Sequence, residues 1–479
     1  MAWGEVMAVE YDLVVIGNTS EARWAAALAA RFQARVALVQ PTFEPASSAA
    51  IAGRAFQQAL TWQQQWQGAA ANGLYVSLER AYLSPTGVQA WAADLSPTIA
   101  AESPMLTALG VDVVVGAGEF VRLPQLAFVC GQRRLRSRAY LLAVGSVPGI
   151  SEIPGLEAVG YLTPATLWSG DKLASLPQRL ALIGNDPEAI ALAQSLQRLG
   201  KTVTLIVESG QLLAEADWEA SLLVQAQLEA EGVQIFLGES VLQVRALDGA
   251  KWLQVGDRAL EVEEILIDAA VEPNLSGLNL EGLGISLAAG LPVNSKLQTS
   301  HPRIYACGGA GRDCETRARY EAEVAVKNAL FGNFFRVNGR YLPRVLRCDP
   351  PLAWLGLTEG QASQRYQKNI YVLRQPFKSL AEAQFLSATT GFGKIIVQGN
   401  GKIVGAHLVG PQAGELIGAI ALAAQENIKL QALGTVFPAG TLSEIIFEIG
   451  DRWRQERWQR RGWLRNLGET WLLWRRSWQ

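Results

Sequence analysis

The sequence predicts an α/β protein in which two parallel-sheet domains covered by helices precede a smaller α+β domain. Three observations predict it. Short apolar runs alternate with helical segments over most of the chain, the layout in which a helix carries the chain from one parallel strand to the next. A strand-helix-strand unit occurs twice, about 165 residues apart, which points to two separate domains of one kind. Beyond Asn338 the order changes to strand-like runs followed by helices.

The first unit opens with Tyr11-Asp-Leu-Val-Val-Ile-Gly17, an apolar run suited to a strand buried on both faces. The Ala-rich segment Glu21 to Phe32 is its helix, and Arg35-Val-Ala-Leu-Val-Gln40 its second strand. Trp62 and Trp66, four apart within Thr61 to Gln67, form a small helical stripe read as core packing. Arg136 to Pro148 reads as a strand leaving through a Gly/Pro turn, a natural boundary. The second unit is Arg179-Leu-Ala-Leu-Ile-Gly184, a helix through Leu199, and Thr202-Val-Thr-Leu-Ile-Val207. A return strand follows at Pro302 to Gly308, with a helix from about Thr316 to Leu330. In the last part, Asn369 to Leu373, Lys394 to Gln398 and Lys402 to Leu408 read as strands, and Gly414 to Gln425 and Thr441 to Gly450 as helices.

The 479 residues suffice for about three domains, each able to bury a core. A hydrophobic fraction of 49% with 18% charged residues is that of a folded globular protein. The net charge of -2 supplies no bulk attraction for nucleic acid. Met1 to Glu10 lacks a secretory pattern and no run approaches the ~18 apolar residues of a spanning helix, so the body is expected to be soluble and cytoplasmic. Cys130, Cys307, Cys314 and Cys348 contain no C-x-x-C pair, so neither a metal site nor a disulfide framework is expected, and buried reduced thiols are.

The C-terminal third carries the most specific phrases. Asp349-Pro, Gly356-Leu-Thr-Glu-Gly-Gln-Ala362, Gly391-Phe-Gly-Lys394, Gly405-Ala-His-Leu-Val-Gly410 and Ala413-Gly-Glu-Leu-Ile417 resemble the dimerisation domain of the pyridine nucleotide-disulfide oxidoreductases. That family includes dihydrolipoamide dehydrogenase, glutathione reductase and mercuric reductase, and the resemblance covers roughly residues 10 to 450. It implies two Rossmann-like dinucleotide-binding domains plus an α+β dimerisation domain. The boundaries expected are 1-148 with 272-337 for the FAD-type domain, 149-271 for the NAD(P)-type domain, 338-450 for dimerisation, and 451-479 as a tail. A homodimer is implied, since the family's active site is shared across the dimer interface.

Each inherited site can be tested by what it physically requires. A dinucleotide turn needs G-x-G-x-x-G, so that backbone N–H groups approach the diphosphate at a helix N-terminus. In Gly17-Asn18-Thr19-Ser20-Glu21-Ala22 only the first glycine remains; Ala22 is a tolerable third position, Thr19 adds bulk and Glu21 adds negative charge. Gln40 stands where an acid would hold the adenosine ribose. FAD binding is weakened here but not excluded, since the Gln40 amide and the helix dipole remain. The second turn, Gly184-Asn185-Asp186-Pro187-Glu188-Ala189, places two carboxylates at a nicotinamide cofactor's diphosphate, so NAD(P) binding is disfavoured. Glu208 reads either as a ribose-binding acid or as a solvated strand end. The resemblance implies a ribityl-binding Asp after the return strand; that position is Gly309, beside Gly308.

The family's redox pair would fall at Ala49 and Arg54, anchored on Gln57-Gln58-Ala59-Leu60, and no cysteine precedes Cys130. The Lys-Glu pair placed beside the flavin would be Gln57 and Ala191. The acid-base His is Ala439, five residues before the retained Glu444. Only His301 and His407 exist, neither at the required place, and His407 on its strand reads as structural.

Residues 451-479 hold six of the fifteen Trp and eight Arg. Leu467, Trp471, Trp474 and Trp478 fall on one helical face, and Gly462 and Gly468 would divide the tail into short segments. This composition suits an interfacial membrane anchor, a docking helix for an acidic protein partner, or an extension packed on its own dimer. Removing Trp453 to Gln479 is expected to leave the dimer folded and release it from membranes. Two function classes follow: a catalytically degenerate homodimeric scaffold with a membrane- or partner-docking tail, or an FAD-dependent NAD(P)H oxidoreductase working without a redox disulfide. The second would bind FAD through Gly17, Gly145 and Gly308.

Overall fold

The computed structural model describes residues 9–41, 47–69, 84–100, 102–123, 125–149, 153–168, 172–268, 271–287, 290–308, 315–367, 369–460 and 462–478. The chain forms two units, Met1–Gly184 with Arg198–Lys201 and Val241–Gly339, and Asn185–Gln197 with Thr202–Ser240 and Arg340–Gln479.

In the first unit, strands Ile304–Ala306, Ser137–Leu142, Tyr11–Ile16, Val36–Gln40 and Asp112–Val115 form, in that spatial order, a parallel sheet. Side-chain alternation builds a core on each face. Leu13, Val15, Leu38 and Leu141 face helices Ser20–Arg31 and Glu315–Phe331. Val14, Ile16, Val39 and Leu142 face the antiparallel sheet Gly118–Val121, Ala127–Cys130 and Arg133–Leu135. The first strand lies at the point where the strand order reverses, so the crevice beyond its C-terminal end is the natural ligand position of such a sheet.

The same unit holds the parallel pair Arg179–Ile183 and Glu264–Ile267, and an antiparallel sheet of Val241–Leu247, Ala250–Val255 and Arg258–Val262. Helices Ser47–Ala69 and Pro85–Ala100 also belong to it. Trp62 is 47% exposed and packs on Trp91 with ring centroids 5.2 Å apart, so it lies at the edge of that helix pair rather than in a core; the Trp66 side chain lies outside the described residues.

The second unit is built on an antiparallel sheet ordered Arg344–Leu346, Leu352–Gly356, Ile403–Val409, Phe392–Gln398, Ile370–Pro376. Helices Ala413–Gln425 and Glu444–Arg460 share its core with Leu355, Ile395 and Leu408. Strands Thr202–Val207 and Gln234–Leu237 pair in parallel, and Pro187–Arg198 and Trp218–Ala230 are helices of this unit. The α/β class with an α+β last part is the one expected.

The helix expected over Thr441 to Gly450 begins at Glu444 and continues to Arg460. Trp453 on it is 1% exposed and packs in the sheet's core, against Gly401. A cut before Trp453 would therefore open this core, contrary to the expectation that Trp453 to Gln479 is dispensable. Gly468 lies inside helix Gly462–Arg476 and does not divide it.

Candidate functional site

The crevice lies where Tyr11–Ile16 ends. Gly17, at φ +146°, carries the chain so close to the next strand that a Cβ here would stand 1.8 Å from the Ala143 carbonyl oxygen. Only glycine fits. A cavity of about 200 Å³ opens beside this turn, and Asn18, Thr19, Val39, Gly116, Gly145 and Asn274 are among its lining residues. Gln40 is half-buried between lining residues Val39 and Pro41, and its carbonyl accepts the Gly116 N–H at 2.9 Å.

Thr19 and Glu21 lie at the start of helix Ser20–Arg31, beside this turn. Thr19 is the N-cap of Ser20–Arg31: its Oγ1 accepts the Ala22 N–H at 3.2 Å and donates to the Ala143 carbonyl at 3.0 Å. The Glu21 carboxylate bends back to the same place, within reach of its own N–H and of the Thr19 and Ser20 hydroxyls, the last at 3.3 Å. Glu21 is 9% exposed, and burial pushes its carboxyl above the ordinary value despite these donors. Gly308, at φ +67°, supports the arrangement, because a Cβ there would lie 2.6 Å from Glu21 Oε1. Its N–H donates to Glu321 Oε2 at 3.3 Å. Gly309 lies outside the described residues.

At the second turn, the Asn185 amide bonds Ser209 Oγ at 2.8 Å, the Gln211 carbonyl at 3.1 Å and the Leu213 N–H at 2.9 Å. These bonds tie the turn to its own unit. Glu188 is exposed in the first turn of Pro187–Arg198. Glu208 is exposed and accepts from Ser240 Oγ at 3.2 Å.

The residues expected at the redox positions lie on helices and in a turn. Ala49 and Arg54 lie on helix Ser47–Ala69, Arg54 exposed; the Ala49 side chain is outside the described residues. Gln57 is half-buried on that helix, and Ala191 is buried on Pro187–Arg198. Ala439 is exposed in a turn, and Glu444 accepts the Gly440 N–H at 3.0 Å, so its carboxylate closes that turn. Cys130 and Cys307 are buried. Burial, then Glu21 and Glu321, raises the Cys307 thiol well above its ordinary value, which keeps it protonated and a poor nucleophile. Cys348 donates to the Pro350 carbonyl at 3.0 Å, and Cys314 lies outside the described residues.

Sequence reading missed a buried ion cluster in the second unit. Lys394 Nζ, 2% exposed, meets Asp217 at 2.7 Å, Glu219 at 2.6 Å and Glu359 at 2.8 Å. Burial alone would lower the lysine, but the three carboxylates hold it above its ordinary value. Asp217 opposes its own burial through the Lys394 bond and stays below the usual carboxylate range. His407 is fully buried beside them, its Nδ1 accepting the Asp217 N–H at 3.3 Å and its Nε2 donating to the Leu357 carbonyl at 3.2 Å. Burial keeps this imidazole neutral by lowering its pKa. The carboxylates could group around a cation, and Lys394 already serves as that cation. Asp217 stands 177 residues from Lys394, so no local motif could have announced the pair.

The tail helix Gly462–Arg476 is exposed on all sides from Leu472 to Trp478, and Leu467, Trp471 and Trp474 are each more than half exposed. Trp474 and Trp478 pack with ring centroids 4.7 Å apart, and the Arg475 guanidinium sits 5.5 Å from the Trp471 ring. Among the described residues no helix is long and apolar enough to cross a membrane.

Known proteins share this architecture. A family model described as pyridine nucleotide-disulphide oxidoreductase matches residues 11–329, and one for the dimerisation domain of that family matches residues 342–448. Mercuric reductase from Staphylococcus aureus is 30% identical over 458 residues, covering 91% of this chain and 81% of its own length. Dihydrolipoyl dehydrogenase from Bacillus subtilis is 30% identical over 283 residues, covering 58% of this chain and 61% of its own. The crystal structure of LpdA from Mycobacterium tuberculosis has the same fold, with a TM-score of 0.82 at 23% identity over 92% of this chain and 99% of that one. These relatives make the family, FAD- and NAD(P)-dependent as a class, the frame for every site above, and the chain belongs to the pyridine nucleotide-disulphide oxidoreductases.

Proposed function

We propose that this protein is a homodimeric scaffold that no longer reduces disulfides and that uses its C-terminal helix to dock on an anionic membrane surface. One observation carries the first half. No cysteine precedes Cys130, and the residues read at the two thiol positions are Ala49 and Arg54, on helix Ser47–Ala69. Without a thiolate pair there is no sulfur to accept electrons and none to attack a substrate disulfide. With Ala439 at the acid-base position, no imidazole is available to take the thiol proton. The match to the dimerisation domain supports the dimer.

The second half rests on the tail. Residues 451–479 carry eight Arg against Asp451, Glu456 and Glu469, a net positive charge that anionic headgroups complement. Exposed indoles beside guanidinium groups are the arrangement that seats a helix at the headgroup level. The protein would then be peripheral on the cytoplasmic face.

Two assays test the reading. Reduction of an aromatic disulfide by NADH or NADPH, with and without added FAD, should stay at the buffer rate; turnover above it would reject the scaffold. Full-length protein should co-sediment with vesicles containing anionic lipid, and a chain lacking 462–479 should not. Equal sedimentation of both would make a protein partner or self-packing the better reading of the tail.

A further inference from the structure

We infer that Glu21 is an internal substitute for a dinucleotide's diphosphate, so that the crevice excludes phosphorylated ligands and its remaining cavity takes an uncharged ligand of nucleoside size. A diphosphate in a turn of this kind needs N–H groups at a helix start, glycine-sized space and no opposing charge. All three are altered here. Thr19 Oγ1 accepts the Ala22 N–H at 3.2 Å, and the Glu21 carboxylate lies at the same helix end against Gly308. Among the described residues no charged side chain lines the cavity, and the Arg23 guanidinium donates to the Asn18 carbonyl at 2.8 Å. A diphosphate at this helix start would therefore meet the Glu21 carboxylate.

What remains is suited to a neutral ligand. The cavity of about 200 Å³ is smaller than the ~300–1,000 Å³ of sites that enclose drug-sized molecules, which a flavin dinucleotide exceeds. Its walls combine apolar Val39, Phe128 and Leu278 with polar Asn18, Ser146 and Asn274. It sits at the C-terminal ends of parallel strands where the strand order reverses, the position at which such sheets bind nucleosides. This inference concerns the crevice and is independent of how the tail docks.

The test uses the full chain with adenosine, ADP and FAD as probes in titration calorimetry. Adenosine should bind, with ADP at least tenfold weaker and FAD without detectable heat. Glu21→Gly removes the carboxylate from the helix start and should bring ADP to within threefold of adenosine. Glu21→Gln keeps the shape and removes only the charge; should the glycine variant misfold, it still should narrow the gap between the two ligands at least threefold. ADP or FAD binding to the unaltered protein as tightly as adenosine would overturn the inference. So would failure of adenosine to bind, or an ADP affinity that neither substitution changes.

Discussion

Replacing Lys394 by methionine removes the ammonium and keeps most of the side-chain volume. Asp217, itself 2% exposed, then keeps two backbone donors, Glu219 N–H at 3.3 Å and Glu359 N–H at 3.1 Å, and loses its ionic partner Lys394. Breaking a buried pair from one side costs roughly 3–5 kcal/mol. Glu219 and Glu359 are 38% and 46% exposed at their side chains, so each of those contacts adds under about 1 kcal/mol. The surviving backbone donors place the loss near the lower end, about 3 kcal/mol. Urea denaturation followed by tryptophan fluorescence measures it. Adding Asp217→Asn to the variant should recover most of the loss, because the stranded charge goes with it. The pH dependence follows from Asp217, whose pKa in the folded protein lies below its ordinary 3.8. Its stabilisation is present above that ordinary value and is lost as pH falls through the depressed one. The gap between wild type and variant should therefore be widest at neutral pH and close in acid. A loss under about 1 kcal/mol, or one that Asp217→Asn leaves in place, would refute the reasoning.

Glu21→Gln should raise the melting temperature at neutral pH. Because burial raises the Glu21 pKa above its ordinary 4.5, the native chain holds that proton more tightly than the unfolded one, so its contribution is favourable at low pH and is lost as pH rises through the folded value. The gain from glutamine should shrink as pH falls toward 4.5, and a pH-independent difference would argue against a buried carboxyl. Gly17→Ala should cost at least about 3 kcal/mol, since its Cβ would meet a backbone oxygen at 1.8 Å; near-native stability in denaturation would count against the tight turn. Deleting 462–479 should leave circular dichroism and thermal unfolding of the remainder unchanged, whereas a cut at Trp453 should destabilise it by about 3–5 kcal/mol through loss of a buried indole. Equal effects from the two cuts would place the boundary elsewhere.

The parts of the fold that were legible are those whose sequence pattern has one physical solution. Tyr11–Ile16 and Thr202–Val207 are strands in parallel pairs, and their apolar runs announce them. The short antiparallel strands were not legible. Arg133–Leu135, with its two arginines exposed, has the composition of a loop and becomes a strand only through pairing with Ala127–Cys130. Helix Glu359–Tyr366 also escaped notice, although Thr358 and Gln361 form a reciprocal cap at its start. Trp453 shows the limit of periodicity in the tail: the pattern marks an aromatic residue, while burial depends on the sheet that meets it.

At the crevice, the sequence shows that Thr19 and Glu21 depart from the glycine-rich turn in size and in charge. It could not reveal that both turn back to satisfy the helix start themselves, since that depends on Ala143 and Gly308, brought in by distant strands. The ion cluster was hidden for the same reason. Lys394 reads as one letter of a familiar phrase until Asp217 is folded onto it.

The most direct test of the account is the visible absorbance spectrum of the purified full-length protein, recorded before and after incubation with excess FAD and removal of the unbound flavin. The account predicts a colourless protein in both spectra, because the proposed replacement of the diphosphate by the Glu21 carboxylate leaves FAD unbound. A stoichiometric flavin band that NADH or NADPH bleaches would contradict it.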